Sequence, residues 1–95
     1  MSYIFTVKTK SGKIVHLSHE RWTHIVQKHQ DLSGSLEKIR ETIIEPSFIK
    51  ENRYEKEIRD YYKYYKEDKR YLLVAVKYLN DEGFTTTSFF TKKVQ

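Results

Sequence analysis

The chain of 95 residues is long enough for one small domain, and its hydrophobic fraction of 38% allows only a modest core. It has no cysteine, which excludes disulfides, thiolate catalysis and cysteine zinc sites. Its 18 lysines and arginines against 13 acidic residues give a net charge of +5, which favours an anionic partner such as nucleic acid.

The chain offers no pattern typical of a membrane or secreted protein. The N-terminal residues MSYIFTVKTKSGK have no long apolar run and no small-residue cleavage site. No segment approaches the roughly 18 apolar residues that a membrane span requires. We therefore expect a cytoplasmic protein with no membrane partner.

The N-terminal third predicts a β-hairpin followed by a helix. Two segments rich in β-branched and aromatic residues, 3–9 and 13–17, flank Ser11 and Gly12, which are typical of a turn. Ser18 then has the chemistry of a helix N-cap, and Glu20 falls in the first turn. We expect this helix to end at about His29.

The remaining segments predict a second helix and four strands. The helix covers 36–44 and cannot continue through Pro46. Strands follow at 47–53, 58–66, 70–79 and 84–91, with turns at 67–69 and 80–83. The order ββααββββ predicts a single α+β domain over residues 1–95, with an antiparallel sheet and both helices on one face. The opposite face would be free for chemistry.

The stretch SHERWTHIVQKHQ places three histidines, His19, His24 and His29, at five-residue intervals. Residues five apart on a helix differ by about 140° around its axis, so three imidazoles would point in three directions. The HExxH zinc motif fails because Thr23 stands where its second histidine would be. This spacing argues against a metal site.

The same periodicity separates two of the histidines. His29 falls within the apolar side of the helix, whereas His24 lies opposite, between Arg21 and Lys28. By pattern alone, His29 is a core histidine at a helix C-terminus and His24 is a solvated surface residue. The apolar side is formed by Trp22, Ile25 and Val26.

The strand at 58–66 contains four tyrosines. Alternation places Tyr61 and Tyr65 on one face with Arg59 and Lys63, and Tyr62 on the other. One face would belong to the core, and the other would form an aromatic, basic strip able to stack bases and hold phosphates. The alternative is a tyrosine-rich sheet that merely covers the core edge. The predicted RNA-binding residues are Tyr61, Lys63 and Tyr65, with Arg21 and Lys28 of the helix.

Two features of the last strands suggest anion binding. Lys77 lies in the most apolar strand, where a desolvated lysine could stabilise an anion, or could reach water from the strand end. Thr85, Thr87 and Thr91 alternate along the final strand with Phe89 on the same face, although threonine is also simply a good strand former. There is no GxxxxGK[ST] or GxGxxG motif, so no nucleotide cofactor is predicted.

Four segments together resemble the barnase–EndoU–colicin–RelE-like (BECR) nucleases, and most closely their small phage- and archaea-associated members. They are RWTHIVQKH, a second helix ending in EP, the strand YLLVAVK and the terminal GFTTTSFFTKK. The resemblance extends from about residue 17 to the C-terminus and is most specific in the helix. The positions matching the family pattern are Arg21, Trp22, His24, His29, Lys77, Thr87, Phe89 and Thr91.

The chain departs from that pattern at two places. Gln30 replaces the proline expected after the second histidine. Ser88 and Phe89 replace Ala-Tyr in the last strand, which removes a phenolic hydroxyl. The second change weakens any general-acid role at that position.

The resemblance implies a metal-independent endoribonuclease in which a 2′-OH attacks the adjacent phosphate and leaves a 2′,3′-cyclic product. It implies His24 as base or acid, with His29 as its partner or as a positioning residue. Lys77 and Arg59 would stabilise the phosphate, and Thr87 would hydrogen-bond it. RNA is the expected partner, and a toxin or phage-associated effector would also have an antitoxin or immunity protein.

Two other functions fit the same sequence. A non-catalytic RNA-binding module would keep the basic, aromatic sheet and lose cleavage. A protein-interaction domain, for example a nuclease inhibitor, would bind RNA negligibly at physiological salt, where a phosphate-contacting protein has a steep salt dependence.

Overall fold

Two helices cover one face of a six-stranded sheet in the computed structural model, which describes residues 2–94. The predicted α+β class and the order ββααββββ are confirmed. A one-turn 3-10 helix, Gln30–Leu32, joins the two α-helices. The elements in chain order are β1 (Tyr3–Lys8), β2 (Ile14–Ser18), α1 (His19–Lys28), α2 (Leu36–Ile44), β3 (Phe48–Glu51), β4 (Ile58–Tyr65), β5 (Arg70–Leu79) and β6 (Glu82–Thr91).

The strands are arranged in the order β1-β2-β6-β5-β4-β3. Strands β3 to β6 form an antiparallel meander, and β1 and β2 form the predicted hairpin. β2 joins the meander by pairing with β6 in parallel, so the expectation of a wholly antiparallel sheet is wrong at this pair. The reason is that β2 and β6 are separated by both helices and three strands, so no short turn dictates their relative direction.

The turn between β5 and β6 is tighter than the sequence pattern predicts. Asn80 and Asp81 have φ values of 52° and 71°, and Leu79 pairs directly with Glu82. Left-handed conformations at both central residues are typical of a two-residue type I′ hairpin. β6 therefore begins at Glu82, and Gly83 lies within the strand rather than in the turn.

The main core lies between the helices and the sheet face that they cover. Tyr61 and Tyr65 belong to it and are only 3% and 6% exposed, so these rings do not form the exposed stacking strip expected of them. Lys63, on the same face, donates to the main-chain carbonyl of Glu45. The other buried members of this core are Val7, Val15, Leu17, Ile25, Leu32, Ile39, Ile43, Leu72, Val74 and Val76.

A smaller cluster lies on the opposite face of the sheet, which we call the open face. Its buried members are Ile58, Tyr62, Leu73 and Ala75, and the partly buried Phe48, Tyr71 and Phe89 pack against them. The exposed Tyr64 meets Tyr71 edge to face, with 5.2 Å between ring centroids. The open face of β4 thus carries Tyr62 and Tyr64, which alternation places opposite Tyr61 and Tyr65.

A β-bulge redirects the threonines of β6. Ala75 pairs with Thr87 whereas Val76 pairs with Thr85, so Thr86 is an extra residue in the strand. Thr85 is consequently buried towards the helices, and Thr87 points to the open face with Phe89. The expectation that Thr85 and Thr87 share a face is wrong because the bulge interrupts the two-residue alternation.

Among residues 2–94, no helix has the length and apolar character needed to cross a membrane.

Gly83 is required by close packing. A Cβ atom at this position would lie 2.7 Å from Val76 Cγ1, 2.8 Å from Tyr78 Cε1 and 3.1 Å from Val15 Cγ2. We expect Gly83→Ala to lower the free energy of unfolding by about 1–3 kcal/mol, as overpacking does elsewhere. Gly34→Ala is the matched control, since a Cβ there meets no atom within 4 Å. Urea denaturation of both variants measures this, and equal stabilities would contradict it.

Tyr65 makes stability depend on alkaline pH. Burial, and then the hydrogen bond that its hydroxyl donates to Glu41 at 2.6 Å, raises its pKa far above the ordinary value. In the unfolded chain a tyrosine ionises near pH ~10, so the stabilising contribution is complete below that pH and is lost as pH rises above it. We expect Tyr65→Phe to flatten the decline of unfolding free energy above pH ~10, by up to about 1.4 kcal/mol per pH unit. Identical slopes for both proteins would refute this.

Candidate functional site

A groove runs between α1 and β6, and we call it the α1 groove. It has a volume of about 230 Å³. Three of its lining side chains are cationic or able to become so, and two are threonines of the bulged strand. The lining residues are Arg21, His24, Ile25, Lys28, Thr86 and Thr87.

The groove exists because β2 is short. Its parallel pairing with β6 ends at His16 opposite Phe84, and α1 begins three residues later at His19. Ser18 caps the helix as predicted, since its hydroxyl accepts from the amide of Arg21 at 3.0 Å. α1 therefore packs beside the downstream half of β6, where another strand would otherwise lie.

His24 and His29 lie beside β6, and the distance between them along α1 is close to the distance between alternate residues of β6. His24 lines the groove with Thr87, and the ring of His29 lies 5.6 Å from that of Phe89. Five residues of helix rise about 7.5 Å, and two residues of strand rise about 6.6 Å, so the two steps are nearly equal. His29 is the C-cap of α1 with φ −134°, so it no longer follows the helical rotation. His19 is exposed at the start of the helix and outside the groove.

A second depression, which we call the open-face cleft, lies on the other side of Thr87. It has a volume of about 590 Å³, and its floor is formed by the open-face residues of β5 and β6. One wall is formed by β3, the loop that follows it and Asp60 of β4. The floor residues are Leu73, Ala75, Thr87 and Phe89, and the wall residues are Lys50, Glu51, Asn52, Arg53, Tyr54 and Asp60.

Thr87 lines both the groove and the cleft, so the two depressions adjoin at this residue. A ligand over Thr87 would have His24, Arg21 and Lys28 on the α1 side. On the other side it would face the acid Asp60 and the β3–β4 loop. Such a site can hold an anion among cations and a hydroxyl, and an imidazole is a group that can donate or accept a proton.

Asp60 and Asn52 organise the cleft wall. Asp60 is 8% exposed, and the amide nitrogen of Asn52 lies 3.3 and 3.4 Å from its two carboxylate oxygens. The side-chain oxygen of Asn52 accepts from the main-chain amides of Tyr54 at 2.9 Å and Glu55 at 3.1 Å. One side chain thus ties the loop to the sheet.

The sequence interpretation did not include Asp60, Asn52, Arg53 or Tyr54. A signal for Asp60 was present, because alternation in β4 places it between Ile58 and Tyr62 on an apolar face, where an unpartnered carboxylate is costly. The loop residues had no comparable signal, since their position over the cleft depends on how the loop folds back.

Four of the predicted site residues meet in the α1 groove: Arg21, His24, Lys28 and Thr87. Lys77 lies on the open face beyond the cleft floor, opposite Ile58, and its ammonium is 3.6 Å from the carboxylate of Glu55. Arg59 is separated from them by the sheet. It projects to the helix-covered side, as alternation from Asp60 requires, and its guanidinium donates to the carbonyl of Lys56 at 2.8 Å.

The fourth histidine, His16, lies outside the groove. Its Nδ1 is hydrogen-bonded to the Thr6 hydroxyl at 2.8 Å and its Nε2 to the Glu82 carboxylate at 2.5 Å. Its ring stacks on Tyr3 with 4.2 Å between centroids. His16 therefore joins β1, β2 and β6, which places the start of α1.

In the part of the chain that the structure describes, no group of three or more histidine, aspartate and glutamate side chains is arranged to hold a metal ion.

Asn52 should control the order of the loop. We expect Asn52→Ala to accelerate hydrogen exchange of the Tyr54 and Glu55 amides by at least tenfold, because the substitution removes the acceptor of both. Asn52→Asp is the matched control, since it keeps the acceptor oxygen while losing the donor to Asp60. Those two amides should exchange more slowly in Asn52→Asp than in Asn52→Ala, as measured by NMR. Equal protection in the wild type and Asn52→Ala would rule out this role.

Comparison with known proteins gives an independent result on the same chain. Residues 4–95 match the model of one protein family, described as phage-Barnase-EndoU-ColicinE5/D-RelE like nuclease 2. No curated protein and no solved structure matches the chain. The match covers nearly the whole sequence, including α1, the open-face cleft and β6. The chain therefore belongs to the phage-Barnase-EndoU-ColicinE5/D-RelE like nuclease 2 family.

Proposed function

We propose that this protein is a metal-independent endoribonuclease whose active site is centred on Thr87. The observation that carries the proposal is the convergence of His24, Arg21 and Lys28 with Thr87 in one groove that adjoins the open-face cleft. Membership of a nuclease family supports a phosphodiester substrate. The site combines the three requirements of this chemistry: a proton-transfer group, cations and a hydroxyl donor.

The proposed reaction is an internal transesterification. The 2′-oxygen of the substrate forms a bond to the adjacent phosphorus, and the bond from phosphorus to the 5′-oxygen of the next nucleotide breaks. A base takes the 2′-hydroxyl proton, and an acid gives a proton to the leaving 5′-oxygen. The products are a 2′,3′-cyclic phosphate and a free 5′-hydroxyl. The requirement for a 2′-hydroxyl makes the substrate RNA.

His24 is the proposed base or acid at Thr87, because it is the imidazole that lines the groove. Arg21 and Lys28 would hold the negatively charged oxygens of the phosphate, and the Thr87 hydroxyl would donate to one of them. His29, one strand step further along beside Phe89, would make the second proton transfer or position the substrate. Lys77 would bind a neighbouring phosphate on the open face, and this phosphate would replace the carboxylate of Glu55 as its partner.

Aromatic side chains around the cleft would receive the bases. Tyr54 is 85% exposed on the cleft wall, and Phe89 lies on the floor. Tyr64 and Tyr71 extend the same face beyond Leu73. Base stacking on such rings contributes about 1–3 kcal/mol per base without requiring one particular sequence.

A toxin or phage-associated effector role in the cytoplasm is the biological setting that we propose. The phage designation of the family supports it. In that setting an antitoxin or immunity protein would inhibit the enzyme most directly by covering the open-face cleft.

A non-catalytic RNA-binding module is the second candidate. Phe89 supports it, because the resemblance leads one to expect a tyrosine there and phenylalanine has no hydroxyl to act as an acid. Such a module would bind RNA on the same face and release no product. Incubating end-labelled RNA with the purified protein separates the two functions.

His24→Ala should reduce RNA cleavage by about 10²–10⁴-fold, the usual contribution of a general acid or base. EDTA should leave the wild-type activity intact, and a substrate with a 2′-deoxy group at the cleaved position should be resistant. His19→Ala is the matched control because His19 is exposed on the same helix and outside the groove. Gel analysis of labelled fragments, with melting temperatures of each variant, provides the measurement.

Cleavage that persists in His24→Ala, or that EDTA abolishes, would overturn this mechanism. Thr87→Val tests the phosphate contact separately and should lower the rate by at least tenfold. Thr91→Val, two pairs further along the open face, is its control and should retain activity.

A further inference from the structure

A third depression lies on the helix-covered side of the sheet, beyond the end of the main core, and has a volume of about 240 Å³. Three cationic side chains line it, against one acidic residue, Glu57. Ser11, Ile49, Tyr61 and Tyr78 complete its lining. The three cations are Lys13 from the β1–β2 hairpin, Lys56 from the β3–β4 loop and Arg59 from β4.

Two of the three cations are held in place by the surrounding structure. The ammonium of Lys13 lies 5.1 Å from the centre of the Tyr78 ring, a cation–π contact. The Arg59 guanidinium uses one nitrogen to donate to the carbonyl of Lys56, which leaves its other donors available. The hydroxyl of Tyr78 is hydrogen-bonded to that of Tyr61, so the ring under Lys13 is itself fixed.

We propose that this depression is a second phosphate-binding site, which holds the RNA backbone beyond the cleaved bond. The proposal rests on the proposed function for the identity of its ligand. None of its three cations lines the α1 groove or the open-face cleft, so it is separate from the site of cleavage. Converging lysine and arginine side chains are the usual ligands of a phosphate.

The edge of the sheet connects the two sites. β3 is the edge strand, and alternation sends Lys50 to the cleft and Ile49 to the second phosphate site. The loop after β3 continues this division, with Arg53 and Tyr54 in the cleft and Lys56 in the second phosphate site. An RNA strand that leaves the cleft across this loop therefore reaches the second site. This arrangement predicts stronger binding of longer RNA.

Direct titration with inorganic phosphate tests the site without reference to cleavage. We expect saturable NMR shifts of the Glu57 and Arg59 amides in the wild type, and their disappearance in the double variant Lys56→Gln/Arg59→Gln. The control Arg40→Gln/Lys69→Gln removes the same two charges from exposed positions elsewhere and should retain the shifts. Absent or unsaturable shifts in the wild type, or shifts that survive in Lys56→Gln/Arg59→Gln, would overturn the site.

Binding of 2′-O-methyl oligonucleotides tests the ligand, because they lack the nucleophile and remain intact. We expect Lys56→Gln/Arg59→Gln to reduce the ratio of decamer to dinucleotide affinity by about tenfold. The salt dependence of decamer binding should also become shallower, by about 0.7 in log–log slope for each phosphate that the variant no longer neutralises. The Arg40→Gln/Lys69→Gln control should change neither quantity.

An unchanged ratio would show that the site does not hold substrate, even if inorganic phosphate binds there. Failure of the proposed function is a separate outcome. If His24→Ala cleaves normally while the decamer ratio falls in Lys56→Gln/Arg59→Gln, the cleavage mechanism is wrong and the second phosphate site stands. If His24→Ala is inactive and the ratio is unchanged in Lys56→Gln/Arg59→Gln, the cleavage mechanism stands and the second phosphate site is wrong.

Discussion

The parallel pairing of β2 with β6 determines where the candidate site forms. It involves only the residues from Ile14 to His16, and His16 secures it through hydrogen bonds with Thr6 and Glu82. Because the pairing stops there, the chain turns into α1 and the helix takes the position beside β6 that a longer strand would occupy. α1 presents the side chains of Arg21, His24 and Lys28 to the edge of β6. The groove is therefore positively charged because a helix, and not a strand, lies beside β6.

The bulge at Thr86 supplies the second element of the site. Without it, two-residue alternation would place Thr85 and Thr87 on the same face of the sheet. The extra residue places them on opposite faces, so that Thr85 is buried and Thr87 lies at the junction of the groove and the cleft. Bulges commonly re-aim a side chain beside an active site, and this one sets a threonine between two depressions.

The two faces of β4 explain which of the predicted site residues lie together. Asp60 and Tyr62 lie on the open face, whereas Arg59, Tyr61 and Tyr65 lie under or beside the helices. Alternation separated Tyr62 from Arg59, Tyr61 and Tyr65 in the sequence, but it could not show which of the two faces the helices cover. Arg59 could therefore be recognised as a phosphate-binding candidate, although its position across the sheet from the α1 groove could not. Asn52 and Tyr54 could not be identified because their role depends on a loop that folds over a distant strand.

Local sequence was sufficient to predict the order of the elements, both helices, the α+β class and the resemblance to a nuclease family, since these follow from periodicity, capping residues and short motifs. It also identified His24 as a candidate, although the helical pattern alone made it a surface residue. Long-range packing was needed to establish that this surface faces β6, that Thr87 rather than Thr85 reaches it, and that Asp60 closes the opposite wall. These facts depend on strand direction, a bulge and a loop contact, which arise from packing between residues far apart in the chain.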